Sequence, residues 1–257
     1  KESFPILTTK SVNFHSIVAE LLFFLQGKTN NKLLKKVGVN IWNANSTAEK
    51  MEPKGLKEDD LGPVYGFQWR HFGADYIDCH TDYSGKGVDQ IRRAINLIIN
   101  EPNSRQIVIS AWNPKQIDKM ALPPCHCKFQ FLVKSGKLNC VLFQRSGDIG
   151  LGIPYNISSY ALLTFIIADI CGLDVGTFTH FIGDAHIYTN HIDALKKQLD
   201  RDSLGKTKLV MKRRYKEDKE MFGESYDYMT FIDSLTEDDF ELEFYRCHRA
   251  LPMKMAV

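Results

Sequence analysis

A cysteine behind two prolines is the first residue here whose type could do covalent chemistry. Cys125 stands in ALPPCHCKFQF (residues 121–131), with a second thiol at Cys127. Four interpretations are open for it: a metal ligand, half of a disulfide, a nucleophile, or a small buried hydrophobe, which is what free cysteines usually are. Pro123 and Pro124 favour a thiol that must be aimed, because proline fixes the backbone direction.

The spacing argues against a metal or a disulfide at this cysteine. Zinc sites favour cysteines two to four residues apart with a second ligand pair elsewhere, whereas a single residue separates Cys125 from Cys127 and no second pair is evident. The nucleotide deaminases that use zinc need a later cysteine where this chain has Lys128, and an upstream His-x-Glu that it lacks. A bridge within Cys-His-Cys would close a small strained ring. We therefore predict no metal and free thiols.

A predicted hairpin brings a charged partner towards Cys125. Residues 128–134 and 137–144 alternate in polarity on either side of a Ser-Gly turn, and Cys125 and Arg145 are nearly equidistant from that turn. A neighbouring guanidinium lowers the pKa of a thiol and raises its thiolate fraction. The sequence thus predicts an arginine–cysteine neighbourhood.

The residues after this hairpin could instead bind a phosphate. Arg145 and Ser146 precede glycines at 147, 150 and 152, and a guanidinium fork matches the geometry of a phosphate. An ordinary surface turn is an equally good interpretation. A cysteine phosphatase is disfavoured, because the arginine of its loop would fall on Phe131.

Composition sets bounds on the class of protein. The 257 residues are 44% hydrophobic and 25% charged with a net charge of +2, which suits a full core and shows no polyelectrolyte surface. The basic stretch 208–219 is interrupted by acids and is interpreted as a solvated face. No apolar run reaches the ~18 residues of a membrane span, and no signal peptide opens the chain. Irregularly spaced cysteines favour a reducing compartment, the cytoplasm, or the nucleus or mitochondrion of a eukaryotic cell.

One α/β domain over residues 1–257 is the predicted organisation, with a small polar excursion at 43–62 that contains a proline and a glycine. Besides the hairpin, residues 106–112 are predicted to form a strand. Apolar residues at helical spacing predict four helices, at 12–26, 88–100, 158–170 and 191–199. Glu20 stands among the apolar residues of the first helix, so its carboxylate lies at the helix edge or in a pocket.

From nearly end to end the chain resembles thymidylate synthase, in the form found in animals and large DNA viruses. The matching stretches include FPILTTK (4–10), ELLFFLQGKTN (20–30), IWNAN (41–45), DLGPVYGFQWRHFG (60–73), SAWNP (110–114), ALPPCHCKFQF (121–131), QRSGDIGLGIPYNISSYALL (144–163) and GDAHIYTNH (183–191).

The resemblance implies an α/β (α+β) fold with a mixed β-sheet and flanking helices, packed through its sheet as a homodimer. It implies reductive methylation of dUMP to dTMP, with 5,10-methylenetetrahydrofolate as the donor of carbon and hydride, and no metal. Cys125 would be the nucleophile at uracil C6, and Glu20 an acid/base carboxylate whose pKa burial raises towards working pH. Asn156 would read the pyrimidine, with Arg145 and Asp148 completing the catalytic set.

Two binding sets also follow from the resemblance. The residues that would hold dUMP are Arg105, Gln106, Arg145, Ser146, Gly147, Asp148, Asn156, His186 and Tyr188. The residues that would contact the folate are Trp42, Asn45, Leu122, Asp148, Gly152, Tyr155, Ala256 and Val257. Arg105 and the Gln106 position would reach the phosphate in the partner subunit's site.

This chain departs from the family pattern at several positions. The second of two adjacent cross-dimer arginines is Gln106, a usually basic position is Ser11, and the tail near Cys247 lacks the usual prolines. An upstream phosphate arginine of the family would precede residue 1. A related deoxycytidylate hydroxymethylase carries Asp at the pyrimidine-reading position, so Asn156 favours uracil. A non-catalytic nucleotide-binding homologue is disfavoured by the complete catalytic set.

Overall fold

A four-stranded sheet forms the centre of the fold in the computed structural model, which describes residues 3–255. Its order is β1–β2–β3–β4, with β3 and β4 parallel and the other neighbours antiparallel, so the sheet is mixed as expected. Two further strands pair separately as β5–β6. The strands are β1 (Val108–Ser110), β2 (His126–Lys134), β3 (Lys137–Asp148), β4 (Asp174–His186), β5 (Lys208–Met211) and β6 (Phe240–Glu243).

Helices cover one face of this sheet and surround its ends. Within residues 3–255 they are α1 (Phe14–Leu25), α2 (Asn31–Lys36), α3 (Ala48–Met51), α4 (Tyr65–His71), α5 (Gln90–Asn100), α6 (Gly152–Ile170), α7 (Ile192–Leu199), α8 (Tyr215–Phe222) and α9 (Tyr228–Ser234). The main core joins α1, α4, α5 and α6 to the inner face of β2 and β3, where Phe129, Phe131 and Leu142 are buried. The predicted first helix is confirmed, with Asn13 as its N-cap.

The predicted hairpin is confirmed, and its second strand runs further than predicted. Ser135 and Gly136 both have positive φ, 51° and 71°, as a type I′ turn requires. β3 continues to Asp148 because β4 pairs alongside it, with Asp148 opposite His186. No strand was predicted at β4, since its two glycines and its short polar residues blur the alternation.

Helix α6 begins six residues before its predicted start. Its 19 residues meet the length and hydropathy criteria of a membrane span, contrary to the expectation from the sequence. The most apolar part of α6 is 78% buried within the fold, where it packs on the inner face of β3 and β4. Such burial is the behaviour of a core helix.

The polar excursion at 43–62 contributes two residues to a small apolar cluster that is separate from the main core. Met51 and Leu56 are buried there against Phe67, Tyr76 and Tyr83, with Phe67 meeting both tyrosine rings edge-on at 4.9 Å. The excursion is therefore attached to α4 by Met51 and Leu56, which pack in one cluster with Phe67.

The basic stretch at 208–219 is a face of ion pairs. Arg213 contacts Asp218 and Asp239, and Arg214 contacts the buried carboxylate of Asp169. The lysines of this stretch contact glutamates at the surface. These charges are neutralised within the chain, which supports the solvated-face interpretation.

The outer face of the sheet carries exposed apolar side chains on all four of its strands. Val108, Leu132, Phe143 and Phe181 are 42%, 40%, 42% and 57% exposed, and Phe143 lies directly opposite Phe181. In the described part of the chain no helix covers them. A sheet that is covered on one face and apolar on the other can bury a partner there.

Candidate active site

Cys125 is held by its backbone immediately before β2. Its N–H donates to the hydroxyl of Tyr65 at 2.8 Å, and its carbonyl accepts from the N–H of Arg145 at 2.9 Å. The thiol itself is partly buried. These two hydrogen bonds fix the backbone from which Sγ projects.

The predicted arginine–cysteine neighbourhood is confirmed. Nη2 of Arg145 lies 3.7 Å from Sγ of Cys125. The guanidinium also donates to the carbonyls of Pro123 at 2.8 Å and Pro124 at 2.9 Å, and it lies over the ring of Trp112. The two prolines therefore supply carbonyl acceptors that hold the arginine beside the thiol, in addition to directing the chain.

The expected net fall in the pKa of this thiol is wrong. Burial raises the pKa of Cys125 above its ordinary value, and the Arg145 guanidinium opposes that rise without reversing it. Desolvation prevails because the thiolate loses more hydration here than one partly screened cation returns. In the free chain the cysteine is consequently held as a thiol.

Glu20 faces the same region from α1. Nε1 of Trp42 donates to its Oε1 at 2.8 Å. Burial raises the pKa of Glu20 to about 7, although the Trp42 hydrogen bond acts in the opposite direction. The predicted rise of this pKa is confirmed, and a carboxyl group with that pKa can both give and take a proton near neutral pH.

Asn156 lies in the second turn of α6 with only 8% of its surface exposed. Its Oδ1 accepts from Nε2 of Gln144 at 2.9 Å, and Oε1 of Gln144 lies 2.9 Å from Nε2 of His180. Burial lowers the pKa of the nearby His126 to about 3, so that ring is neutral. The amide of Asn156 is thus held in a dry, uncharged setting.

Asp148 closes the turn between β3 and α6. Its carboxylate accepts from the N–H of Gly150 at 2.8 Å and of Leu151 at 3.3 Å. Nδ1 of the fully buried His191 lies 3.5 Å from Oδ1 of Asp148, and the ammonium of Lys10 binds the carbonyl of Gly150. Burial lowers the pKa of Lys10 below its ordinary value, although the negative charge of Asp148 acts in the opposite direction. Neither Lys10 nor His191 was predicted as a partner of this carboxylate.

Because β3 and β4 pair in parallel, polar residues of β4 lie beside polar residues of β3. Ser146 lies opposite Asp184, and Asp148 lies opposite His186. The rings of His186 and Tyr188 meet edge-on at 5.1 Å. Gly147 is a buried residue of β3, and a Cβ there would lie 2.5 Å from the side chain of Ile153 on α6.

Two of the predicted folate residues lie beside groups described above, Trp42 beside Glu20 and Gly152 beside Asp148 and Asn156. Trp42 is 6% exposed and uses its indole N–H on Glu20, whereas Leu122 is 37% exposed. Gly152 and Tyr155 form the first turn of α6, and Asn45 ends a short 3-10 turn after Trp42. The carbonyl of Lys254 accepts from Nε2 of His191 at 2.8 Å. This hydrogen bond holds the C-terminal segment near Asp148. Ala256 and Val257 lie outside the described residues.

Arg105 and Gln106 are exposed and are not brought to Cys125 of the same chain. They precede β1, whose Val108 pairs with Gln130, so they lie at the far end of β2 from Cys125. At ~3.3 Å per residue that separation is roughly 20 Å. They could complete only the site of another copy.

Several side chains of this site were missed by the sequence-based prediction. Tyr65, Gln144 and His180 hold other residues in place and have no motif of their own, although Tyr65 and Gln144 lie within the matching stretches. Cys127 lies at a bulge in β2, where its carbonyl accepts from Ala111 at 2.9 Å. Among the residues described, no cluster of His, Cys, Asp and Glu could hold a metal ion.

Comparison with known proteins agrees with the geometry. The sequence signature described as "Thymidylate synthase" matches residues 1–257. A Paramecium tetraurelia protein named "Bifunctional dihydrofolate reductase-thymidylate synthase" is 52% identical over 259 residues, covering 100% of this chain and 53% of its own length. "Thymidylate synthase" of Homo sapiens is 48% identical, covering 100% of this chain and 79% of its own length, and that of Equine herpesvirus 2 is 48% identical, covering 99% and 84%. The chain spans about half the length of the bifunctional relatives it matches.

Proposed function

This chain belongs to the thymidylate synthase family, and we propose that it converts dUMP to dTMP by reductive methylation, with 5,10-methylenetetrahydrofolate as carbon and hydride donor. The observation that carries the proposal is the 3.7 Å contact between the Cys125 thiol and the Arg145 guanidinium. The preceding residue of β3, Gln144, holds the buried amide of Asn156. A nucleophile and a base-reading amide are thereby held by neighbouring residues of β3, where Arg145 contacts the thiol of Cys125 and Gln144 binds the amide of Asn156.

Cys125 acts as the nucleophile in this proposal. As the thiol proton passes to water, the sulfur adds to C6 of the uracil ring, the C5–C6 π electrons shift towards O4, and C5 becomes an enolate carbon that can attack the one-carbon unit. Covalent addition of this kind divides one difficult step into easier ones. Because burial keeps the free thiol protonated, the guanidinium of Arg145 contributes most as the sulfur becomes negative during addition and again during elimination.

Asn156 and Glu20 handle the ring and its protons. With Oδ1 accepting from uracil N3–H, Nδ2 of Asn156 donates to O4, where negative charge develops. Glu20, with a pKa of about 7, exchanges protons through water with C5 and with the folate. The Trp42 indole holds the carboxyl group in position for that exchange.

The residues present suit both ligands. Two N–H groups of the Arg145 guanidinium bind proline carbonyls, which leaves Nη1, with no hydrogen bond to residues 3–255, available for the dUMP phosphate beside Ser146. His186 lies opposite Asp148, and its ring contacts that of Tyr188. These two residues are proposed to bind the deoxyribose hydroxyl. When bound, the folate supplies the carbon and the hydride. The part-exposed Leu122 and the ring of Tyr155 offer it an apolar wall.

A homodimer packed through the sheet completes this proposal. The exposed apolar side chains on the outer face of β1–β4 would be buried by a second copy. Arg105 and Gln106, which lie far from Cys125 of their own chain, would then reach the partner's phosphate. Each site would need both chains.

An assay of the whole chain tests the proposal. Purified protein is mixed with dUMP and methylenetetrahydrofolate, and dihydrofolate is followed by its absorbance. Formation of dTMP and dihydrofolate in equal amounts is expected. A folded dimer that forms neither product would refute the synthase activity.

Replacement of Asn156 by aspartate should shift the preference from dUMP towards dCMP. Gln144 can still donate to one carboxyl oxygen, which pairs with the cytosine N3 acceptor when it carries a proton, while the other oxygen accepts from the cytosine amine and repels uracil O4. We expect kcat/KM for dUMP to fall by ~10²-fold, with dCMP becoming the tighter ligand. Competition binding with both nucleotides measures this, and an unchanged preference would contradict the role given to Asn156.

Replacement of Gln106 by arginine should tighten dUMP binding by several-fold at low salt. The substitution adds a cation at a position proposed to face the partner's phosphate, and salt screens such an interaction. Asn103→Arg is the matched control, since it places the same charge on the same exposed loop. Isothermal titration at low and high salt compares the two variants. Equal effects of both would mean that Gln106 has no special position.

A further inference from the structure

The partners of Gln144 determine which way its amide points. One atom of this amide lies 2.9 Å from the carbonyl oxygen of Ser146, which can only accept a hydrogen bond, so that atom is the nitrogen Nε2. The same nitrogen donates to Oδ1 of Asn156 at 2.9 Å. Gln144 is 2% exposed, so solvent does not offer it other partners. Both N–H bonds of Gln144 are thereby used.

The remaining atom, Oε1, faces His180. It lies 2.9 Å from Nε2 of the imidazole, and a buried amide oxygen requires a donor. Nε2 of His180 must therefore carry a proton, whether the ring is neutral or charged. The ring stays in place against Phe178, with the ring centroids 5.5 Å apart.

We propose that His180 is a positioning residue that sets the preference for uracil over cytosine through Gln144 and Asn156. The inference rests on the proposed function, because it concerns how the same amide reads the same base. It adds a residue on β4, outside the base-contacting set, to the determinants of specificity. The chain of donors runs from His180 to Gln144 and from Gln144 to Asn156.

The physical basis is that these hydrogen bonds prevent the amide group of Asn156 from rotating by 180°. Cytosine presents an acceptor at N3 and an amine at C4, so an asparagine could match it by rotating its amide by 180°. In that rotated state Nδ2 of Asn156 would meet the N–H of Gln144, and two buried donors would face each other. Rotation of Gln144 as well would not remove the cost, because its oxygen would then face the Ser146 carbonyl and the His180 ring would have to move its proton from Nε2 to Nδ1.

The test compares two replacements of His180 that differ in one donor. His180→Phe keeps a flat ring of similar size without an N–H, whereas His180→Gln places an amide N–H at about the reach of Nε2. The dissociation constants of dUMP and dCMP are measured by titration for both variants and for the parent chain. We expect the dissociation constant of dCMP divided by that of dUMP to fall by ~10-fold in His180→Phe. In His180→Gln this ratio should stay within about threefold of the parent.

If His180 only supported the structure, its replacement would weaken the binding of both nucleotides by the same factor and leave this ratio unchanged. An unchanged ratio in His180→Phe, or an equal fall in both variants, overturns the inference while leaving the synthase activity intact. A parent chain that shows no preference for dUMP refutes the proposed function, and the inference with it.

A second measurement applies if His180→Phe does not fold. The ¹⁵N shifts of the His180 ring in the parent chain distinguish the two tautomers. A proton on Nε2, in the free chain and in its dUMP complex, supports the donor chain. A ring protonated only on Nδ1 overturns it.

Discussion

Replacement of Cys125 by serine should lower kcat by roughly 10⁴-fold or more, the order expected when the nucleophile is removed from a unit that works together. A serine hydroxyl occupies nearly the same space, but it ionises far less readily than a thiol and adds poorly to C6. Binding of dUMP should change little, because Arg145 and Asn156 keep their partners. Single-turnover kinetics and titration with dUMP measure the two effects separately.

Cys127→Ser is the matched control for that experiment. It makes the same chemical change two residues away, at the bulge in β2, where the thiol lies 3.5 Å from the carbonyl of Cys125 and is given no part in the reaction. Its kcat should stay within about threefold of the parent. A Cys125→Ser enzyme with near-parent turnover, or an equal loss in the two variants, would exclude Cys125 as the nucleophile.

Replacement of Glu20 by glutamine should lower kcat by ~10² to 10³-fold and remove an ionisation near pH 7 from the pH–rate profile. The carboxyl group of Glu20 has its pKa raised to about 7 by burial, so it changes protonation state within the working range of pH. A glutamine amide can hold the same hydrogen bond geometry but cannot transfer the proton. The profile of kcat from pH 5 to pH 9 measures the effect.

Stability and a second variant separate this result from simple damage. The pKa of Glu20 is higher in the folded chain than in the unfolded one, so its burial costs stability as pH rises through 7 and costs nothing at low pH. Glu20→Gln should therefore unfold at a higher temperature than the parent at pH 8 and at a similar temperature at pH 4, below the ordinary pKa of 4.5. Trp42→Phe removes the hydrogen bond that lowers this pKa, and should move the ionisation to higher pH. An ionisation near pH 7 that persists in Glu20→Gln would contradict the assignment.

The parts of the site that follow from local pairing were predictable. The distance of Cys125 and Arg145 from the turn at Ser135–Gly136 was enough to predict their contact, because antiparallel pairing transfers sequence symmetry directly into space. The direction of the Glu20 pKa shift followed in the same way from its apolar helical neighbours.

The remaining parts depend on packing between distant segments. The sign of the Cys125 pKa shift was mispredicted because it depends on how much water the surrounding side chains remove, which spacing does not reveal. β4 was missed because its own pattern is weak and its partner β3 stabilises it. His180 was missed with it, since a histidine on an unpredicted strand has no visible partner. The span of α6 was underestimated because its first turn contains a glycine and a proline, which usually mark loops.

The parallel pairing of β3 with β4 also bears on the order in which the chain acquires its parts during folding. The β2–β3 hairpin is a local structure that can form on the microsecond timescale, and it alone brings Arg145 beside Cys125. His180 and His186 reach β3 only after the whole of α6 has been placed, so their loop closure is long and slow. We therefore expect the contact between Arg145 and Cys125 to form early in refolding, with discrimination between nucleotides arising in a later kinetic phase.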